Sequence, residues 1–239
     1  MKISSYNFYA DVNESVCFVF ISDIHGYDNK KIINKIDEIN PQAVLIGGDI
    51  VHNDENYKDG IDFLRLCSEK YPTFCAIGNH EMKLSFDIKP LIKESGAILL
   101  DNESAEYMRI KIGGLTTGYN QGEKQGRTSI PPCPNMEWAN KFAKEEGYKI
   151  LLSHHPEYYE KYLKDLSVDL ILSGHAHGGQ WRFFGRGVFA PGQGLFPKYT
   201  SGMYDNKLIV SRGIGNQVIV PRINNSKEII VLNFKSEEK

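Results

Sequence analysis

The chain has 239 residues, 41% of them hydrophobic and 24% charged, with a formal net charge of -2. That balance is ordinary for a soluble globular protein and excludes a strong general pull towards nucleic acid or anionic membranes. No apolar run reaches the roughly 18 residues that a bilayer span needs.

Met1–Ser15 is polar and carries no signal-peptide core, so a cytoplasmic protein is expected. Cys17–Ser22 is the first short apolar run, read as a strand, and Asn29–Ile39 follows as a helix with Ile32, Ile33, Ile36 and Ile39 on one face. Ala43–Ile46 is the second strand, followed by a helix around Gly60–Lys70. Thr73–Ile77 is the third, followed by a helix around Ile88–Ser95. Continuous apolar runs of this length suit strands buried on both faces, and their alternation with helices predicts βαβ units and a parallel sheet. Tyr107–Ile112 alternates polar and apolar residues, as a half-buried strand does. After a polar loop from Tyr119 to Pro134 the βα pattern resumes. A helix is expected near Glu137–Glu146, a strand at Lys149–Leu152, a helix at Glu157–Leu166 and a strand at Asp169–Leu172. The tail from Trp181 to Phe234 reads as short strands and turns, including Lys207–Val210 and Glu228–Leu232. One domain spanning 1–239, with two sheets and helices on the outer faces, is the simplest arrangement. Cys17, Cys67, Cys75 and Cys133 have no framework spacing and are expected to be inert core thiols, with Cys133 set apart between prolines in a polar loop.

Chemistry gathers where the strands end. Asp23-Ile24-His25-Gly26 follows the first, Gly47-Gly48-Asp49 the second and Gly78-Asn79-His80-Glu81 the third. His154-His155-Pro156 and Gly174-His175-Ala176-His177-Gly178-Gly179-Gln180 follow the last two. The carboxyl edge of an open α/β sheet is where ligands bind. Carboxylates, imidazoles and an amide, without thiolate, suit divalent Mn, Fe, Co, Ni or Zn. Seven donors exceed the needs of one tetrahedral zinc and suit two ions that share a carboxylate. A lone Asp-x-His or Gly-Asp means little. The Gly-His-Ala-His-Gly-Gly-Gln run is far more specific, because no packing role explains it.

The set D-x-H, G-D, G-N-H-[DE], a later H and G-H-x-H resembles the calcineurin-like metallophosphoesterases. The likeness covers roughly Cys17 to Phe234 and includes a branch of bacterial phosphodiesterases and UDP-2,3-diacylglucosamine pyrophosphatases that end the last motif in GHxHGGQ. The resemblance implies an α/β fold, a four-layer α/β/β/α sandwich of two mixed sheets flanked by helices. It implies two divalent ions, manganese first among them. Asp23, His25 and His177 would hold one ion, and Asn79, His154 and His175 the other, with Asp49 bridging. His80 would bind no metal but act on the scissile phosphate as charge stabiliser or acid. A bridging hydroxide would attack a small-molecule phosphate ester in line, with no stable nucleic-acid partner.

The sequence also departs from that branch. His52 stands where relatives often have Asp. It is open to two readings, a substrate or His80 contact and a solvated loop residue. Lys124 and Arg127, in the Tyr119–Pro134 loop, read equally as a rim that meets substrate and as solvated surface. The Trp181–Phe184 and Phe189–Phe196 segments read as core and turns, or as an apolar wall for a lipid or nucleobase. Arg212 and Arg222 are candidates for phosphate contact or for structural ion pairs. Against a phosphodiesterase stand a pyrophosphatase of a nucleotide-linked lipid or sugar, a nuclease, and a non-catalytic scaffold, which would have lost ligands that this chain retains.

Overall fold

A computed structural model describes residues 1–126, 130–216 and 221–236. The strands are β1 (Lys2–Tyr9), β2 (Val16–Ile21), β3 (Ala43–Ile46), β4 (Thr73–Ala76), β5 (Ile98–Leu100), β6 (Glu103–Tyr107), β7 (Ile110–Leu115), β8 (Tyr148–Ser153) and β9 (Leu170–Ser173). Two small hairpins, β10 (Arg182–Phe183) with β11 (Arg186–Gly187) and β12 (Phe189–Ala190) with β13 (Gly194–Leu195), precede β14 (Gly202–Tyr204), β15 (Leu208–Val210) and β16 (Glu228–Lys235). The helices are α1 (Asn29–Ile39), α2 (Tyr57–Ser68), α3 (Asn79–Lys83), α4 (Lys89–Glu94) and α5 (Met136–Ala143).

Two six-stranded mixed sheets result, in the orders β1-β16-β2-β3-β4-β5 and β14-β15-β9-β8-β7-β6. Within the first, β2 to β5 run parallel; within the second, β15, β9, β8 and β7 do. Strand alternation divides each side-chain set in two. Phe18, Phe20, Leu45 and Phe74 face Ile112, Ile150, Leu152 and Leu172 across the space between the sheets. Val19, Ile21, Val44 and Ile46 pack outward on Ile32 and Ile36 of α1, Phe63 and Leu64 of α2, and Ile92 of α4. Leu151, Ile171 and Val210 pack on Ala139 and Phe142 of α5 and on Tyr158, Tyr159 and Leu163. The expected four-layer sandwich is what forms, and each fully buried side chain of this size contributes about 1.5–3 kcal/mol. No helix among the described residues is long and apolar enough to cross a membrane.

Two local expectations are corrected, and one strand is unforeseen. Tyr107–Ile112 is not one strand: Met108 and Arg109, at φ 51° and 65°, turn the chain so that Tyr107 pairs with Ile110 across an antiparallel hairpin. Hydrophobic alternation runs on through such a two-residue turn, and without Gly or Asn nothing in the sequence marks it. Glu157–Leu166 holds only a single π-helical turn, Tyr159–Leu163. The polar start of the chain is an edge strand, β1, paired in parallel with β16 along its whole length.

Candidate metal centre

The carboxyl ends of β2, β3 and β4 in one sheet and of β8 and β9 in the other meet at one place. Backbone and side-chain bonds tie the two edges together. The Gly174 amide donates to the His154 carbonyl at 3.0 Å, the His154 ring bonds the Gly47 carbonyl at 2.7 Å, and the His175 amide donates to Asp23 at 3.0 and 3.1 Å. Donor atoms of Asp23, His25 and His177 lie within 4.8 Å of one another, as do those of Asp49, His154 and His175. Asp49 touches both groups: its Oδ2 is 3.1 Å from His154 Nε2 and 3.7 Å from His25 Nε2. Asp23 Oδ1 lies 3.4 Å from His177 Nε2 and 3.9 Å from His154 Nε2.

Backbone conformation aims these side chains. Asp23, His25, Asp49, His175 and His177 all have φ between 46° and 63°. For residues other than glycine this left-handed region costs of order 1–3 kcal/mol, and such strain clusters at functional sites. Gly48 and Gly78 let the β3 and β4 loops touch: a Cβ on Gly78 would stand 2.3 Å from Asp49 Oδ1, and one on Gly48 would stand 2.5 Å from the Gly78 nitrogen.

Hydrogen bonds orient the imidazoles. Nδ1 of His25 bonds the Val51 carbonyl at 2.9 Å, and Nδ1 of His80 bonds the His52 carbonyl at 2.7 Å. A carbonyl only accepts, so these rings and His154 carry their proton on Nδ1 and turn Nε2 inward. Asn79 opens α3. Its amide nitrogen donates to Gln125 Oε1 at 2.9 Å, and Gln125 Nε2 donates back to the Asn79 carbonyl at 3.1 Å, which leaves the Asn79 Oδ1 to face elsewhere. His80 donates its backbone N–H to Asp49 Oδ1 at 2.8 Å, and its ring centroid is 4.7 Å from that of His25. Lys83 Nζ donates to His80 Nε2 at 3.2 Å. His52 stands beside this pair, its ring 5.8 Å from that of His80. Arg127 lies outside the described residues.

The electrostatics follow from burial. Burial holds the His25 and His175 imidazoles well below their ordinary range, helped by neighbouring histidines. It brings His177 to about 4, with the Arg222 guanidinium lowering it further and Asp23 opposing. Burial also lowers His154, but Asp49 and Asp23 outweigh it and raise this ring to about 10. A neutral imidazole is the ligating form. Asn79 Oδ1 is buried without a hydrogen-bond partner, and Asp49 Oδ2 and His154 Nε2 have none beyond their mutual ionic contact at 3.1 Å. Buried lone pairs turned on one region are expensive unless positive charge lies among them, and oxygen and imidazole donors suit borderline or hard divalent cations. The residues therefore fit a metal centre.

Several residues outside the donor set support it. Glu81, buried, accepts from the backbone N–H of Gly78 at 2.8 Å, Asp49 at 2.9 Å, Ile50 at 2.9 Å and Val51 at 3.3 Å. Burial and the Asp49 carboxylate push its carboxyl up to about 7, while these donors favour the ionised form. Glu81 is the acidic end of the Gly-Asn-His-[DE] motif, which the sequence marks without saying what the carboxylate holds. Arg222 donates to the carbonyls of Arg212 at 2.7 Å and Gly213 at 3.3 Å, and to that of Gly215, and stands 3.3 Å from His177 Nδ1. It clamps the loop behind His177. Asn225 donates to the His177 carbonyl at 2.7 Å.

Two sheets that turn their carboxyl edges onto one cluster of Asp, Asn and His donors, with a further histidine alongside, define a metal-dependent hydrolase site. Residues 18–179 match the calcineurin-like phosphoesterases, and the chain belongs to that family. It is accordingly a phosphoester hydrolase that works with divalent metal ions. It is 30% identical to a metallophosphoesterase of Campylobacter jejuni over 95% of this chain and 61% of that protein. It is 28% identical to phosphodiesterase YaeI of Escherichia coli over 82% of this chain and 72% of YaeI. The chain spans 64% of the length of each of two similar Helicobacter pylori metallophosphoesterases. The crystal structure of phosphopantetheinyl hydrolase from Mycobacterium tuberculosis superposes with a TM-score of 0.51 over 86% of this chain and 92% of that one, at 11% identity, a likeness of fold alone.

Proposed function

We propose that the chain is a binuclear phosphodiesterase. Asp23, His25 and His177 hold one ion, Asn79, His154 and His175 the other, and Asp49 serves both. The carrying observation is the position of Asp49, whose Oδ2 faces imidazoles of both groups. Bound there, two ions such as manganese supply Lewis acidity that activates water and neutralises phosphoryl oxygens. His80 stands beside the donors with its Nδ1 proton engaged by the His52 carbonyl, so Nε2 is the atom that exchanges a proton or hydrogen bond with a leaving oxygen. Lys83, bonded to that nitrogen, supplies the nearest proton. His52 holds His80 through its carbonyl and adds a ring at the rim where substrate enters; Arg127 is kept as a substrate-contact candidate from the sequence alone.

The test is a chelator-treated protein assayed on a chromogenic phosphodiester and the matching monoester, with and without manganese. Activity restored by metal and greater on the diester supports the reading. Full activity after complete metal removal ends it. His80→Ala is expected to slow turnover roughly 10²-fold with metal content unchanged. A second reading, hydrolysis of a pyrophosphate-linked lipid, draws on the exposed Phe183, Phe184, Leu195 and Phe196 in the segment after His177. Turnover of a nucleotide-linked lipid well above that of the simple diester would favour it.

A further inference from the structure

A second buried polar cluster adjoins the donor set. Donor atoms of His155, Glu157 and His175 lie within 4.8 Å of one another. His155 is 1% exposed and the Glu157 side chain 8%. Neither Glu157 oxygen has a hydrogen-bond partner, and neither does His155 Nδ1.

A chain of hydrogen bonds fixes which way the His155 ring is protonated. The Pro132 carbonyl can only accept, so the Tyr158 hydroxyl donates to it at 2.7 Å. Tyr158 therefore accepts at its oxygen, from the Gly118 N–H at 3.0 Å and from the Thr117 hydroxyl at 3.5 Å. Thr117, its proton so directed, accepts from His155 Nε2 at 2.9 Å. The neutral ring thus carries its proton on Nε2 and points the bare lone pair of Nδ1 at Glu157 Oε2, 3.7 Å away. Two acceptors facing each other in a dry site repel. An imidazolium–carboxylate hydrogen bond would close to about 2.7–2.9 Å, and this pair has not closed. Two ligand atoms on one tetrahedral zinc stand roughly 3.4 Å apart, close to the separation found. The His175 ring completes the group, its centroid 4.3 Å from that of His155.

We propose that His155, Glu157 and His175 form a further cation site, separate from the seven-residue donor set except for the shared His175, and suited to zinc or a similar borderline divalent ion. Two imidazoles and one carboxylate with a position left for water form a common zinc donor set. Serving both ions requires each His175 nitrogen to face a different one, and the ring proton displaced on loading passes to solvent. The Thr117–Tyr158–Pro132 chain is what keeps His155 Nδ1 available.

The test is equilibrium dialysis of the intact protein against buffered zinc, with metal per chain measured by mass spectrometry, for the parent, Glu157→Gln and His155→Phe. Unfolding melts confirm that the variants are folded, and Glu157→Gln preserves shape if His155→Phe does not fold. The expected result is one equivalent fewer in the variants, whatever the parent total, together with an anomalous zinc peak between His155 and Glu157 in parent crystals. Equal stoichiometry in parent and Glu157→Gln, or no peak at that position, overturns the proposal. The difference is independent of how many ions the main centre holds, so failure here and failure of the binuclear reading are distinguishable.

Discussion

Gly78→Ala tests the idea that backbone contact between two loops positions the centre. Gly78 has φ -95°, which alanine adopts freely, so the effect is steric alone. The new methyl would stand 2.3 Å from Asp49 Oδ1 and 2.6 Å from the Asp49 nitrogen. Ordinary van der Waals contact begins at 3.4 Å, so the carboxylate must retreat by about 1 Å, a displacement that can lower turnover on the order of 10²-fold. The retreat also breaks the bond from the His80 N–H to Oδ1. Overpacking of a tight site costs about 1–3 kcal/mol, which a domain of this size survives. The expected variant is folded, melts a few degrees lower, binds manganese more weakly and turns over a phosphodiester about 10²-fold more slowly. Calorimetric metal titration alongside steady-state assay measures both losses. Parent-like affinity and turnover in a folded Gly78→Ala protein would refute the positioning argument.

Glu81→Gln leaves two of four buried N–H donors facing an amide NH₂, a loss of about 1–3 kcal/mol each, partly offset by removal of a buried charge. Urea unfolding in chelator should show a net loss of about 2–4 kcal/mol, and metal affinity should fall 10–100-fold, the usual effect of removing support behind a metal ligand. Phe142→Ala removes a ring buried to 1% that stacks on Trp138 at 5.4 Å; unfolding should show a loss of about 3–5 kcal/mol with kcat retained, since the ring lies in the outer α5 layer. Thiol titration of the native protein should modify exposed Cys133 quickly, and Cys67 and Cys75 only on unfolding. Burial, reinforced by Asp37, pushes the Cys67 thiol up to about 12. A thiol whose folded value is raised ionises more readily unfolded, so its contribution is intact below pH 9 and declines from pH 9 towards 12. Denaturant midpoints across that range should fall less for Cys67→Ala than for the parent.

Much of the architecture was legible in the chain because its signals are local. Buried parallel strands write themselves as short continuous apolar runs, and α1 shows its inner face at Ile32, Ile33 and Ile36. The donor residues were legible for a related reason. Each sits one to four residues past a strand, so recognising the strand end also located the candidate ligand. Where local signals were silent, the reading failed. The Met108–Arg109 turn has no glycine, and β1, alternating in burial at a sheet edge, lacks the hydrophobic density of its neighbours. Its pairing is with a strand more than 200 positions away.

Composition and motif spacing alone determined the class of chemistry, because ligand type and strand position are properties of adjacent residues. Only the tertiary structure decided what holds those ligands in place. Glu81 reaches back 32 positions to the Asp49 loop, Gln125 lies 46 from Asn79, Arg222 lies 45 from His177, and the Tyr158 hydroxyl meets Pro132 26 residues away. Such contacts exist only once strands have paired within a sheet and the two sheets have packed face to face, since these set which loops meet and no one-dimensional pattern records it.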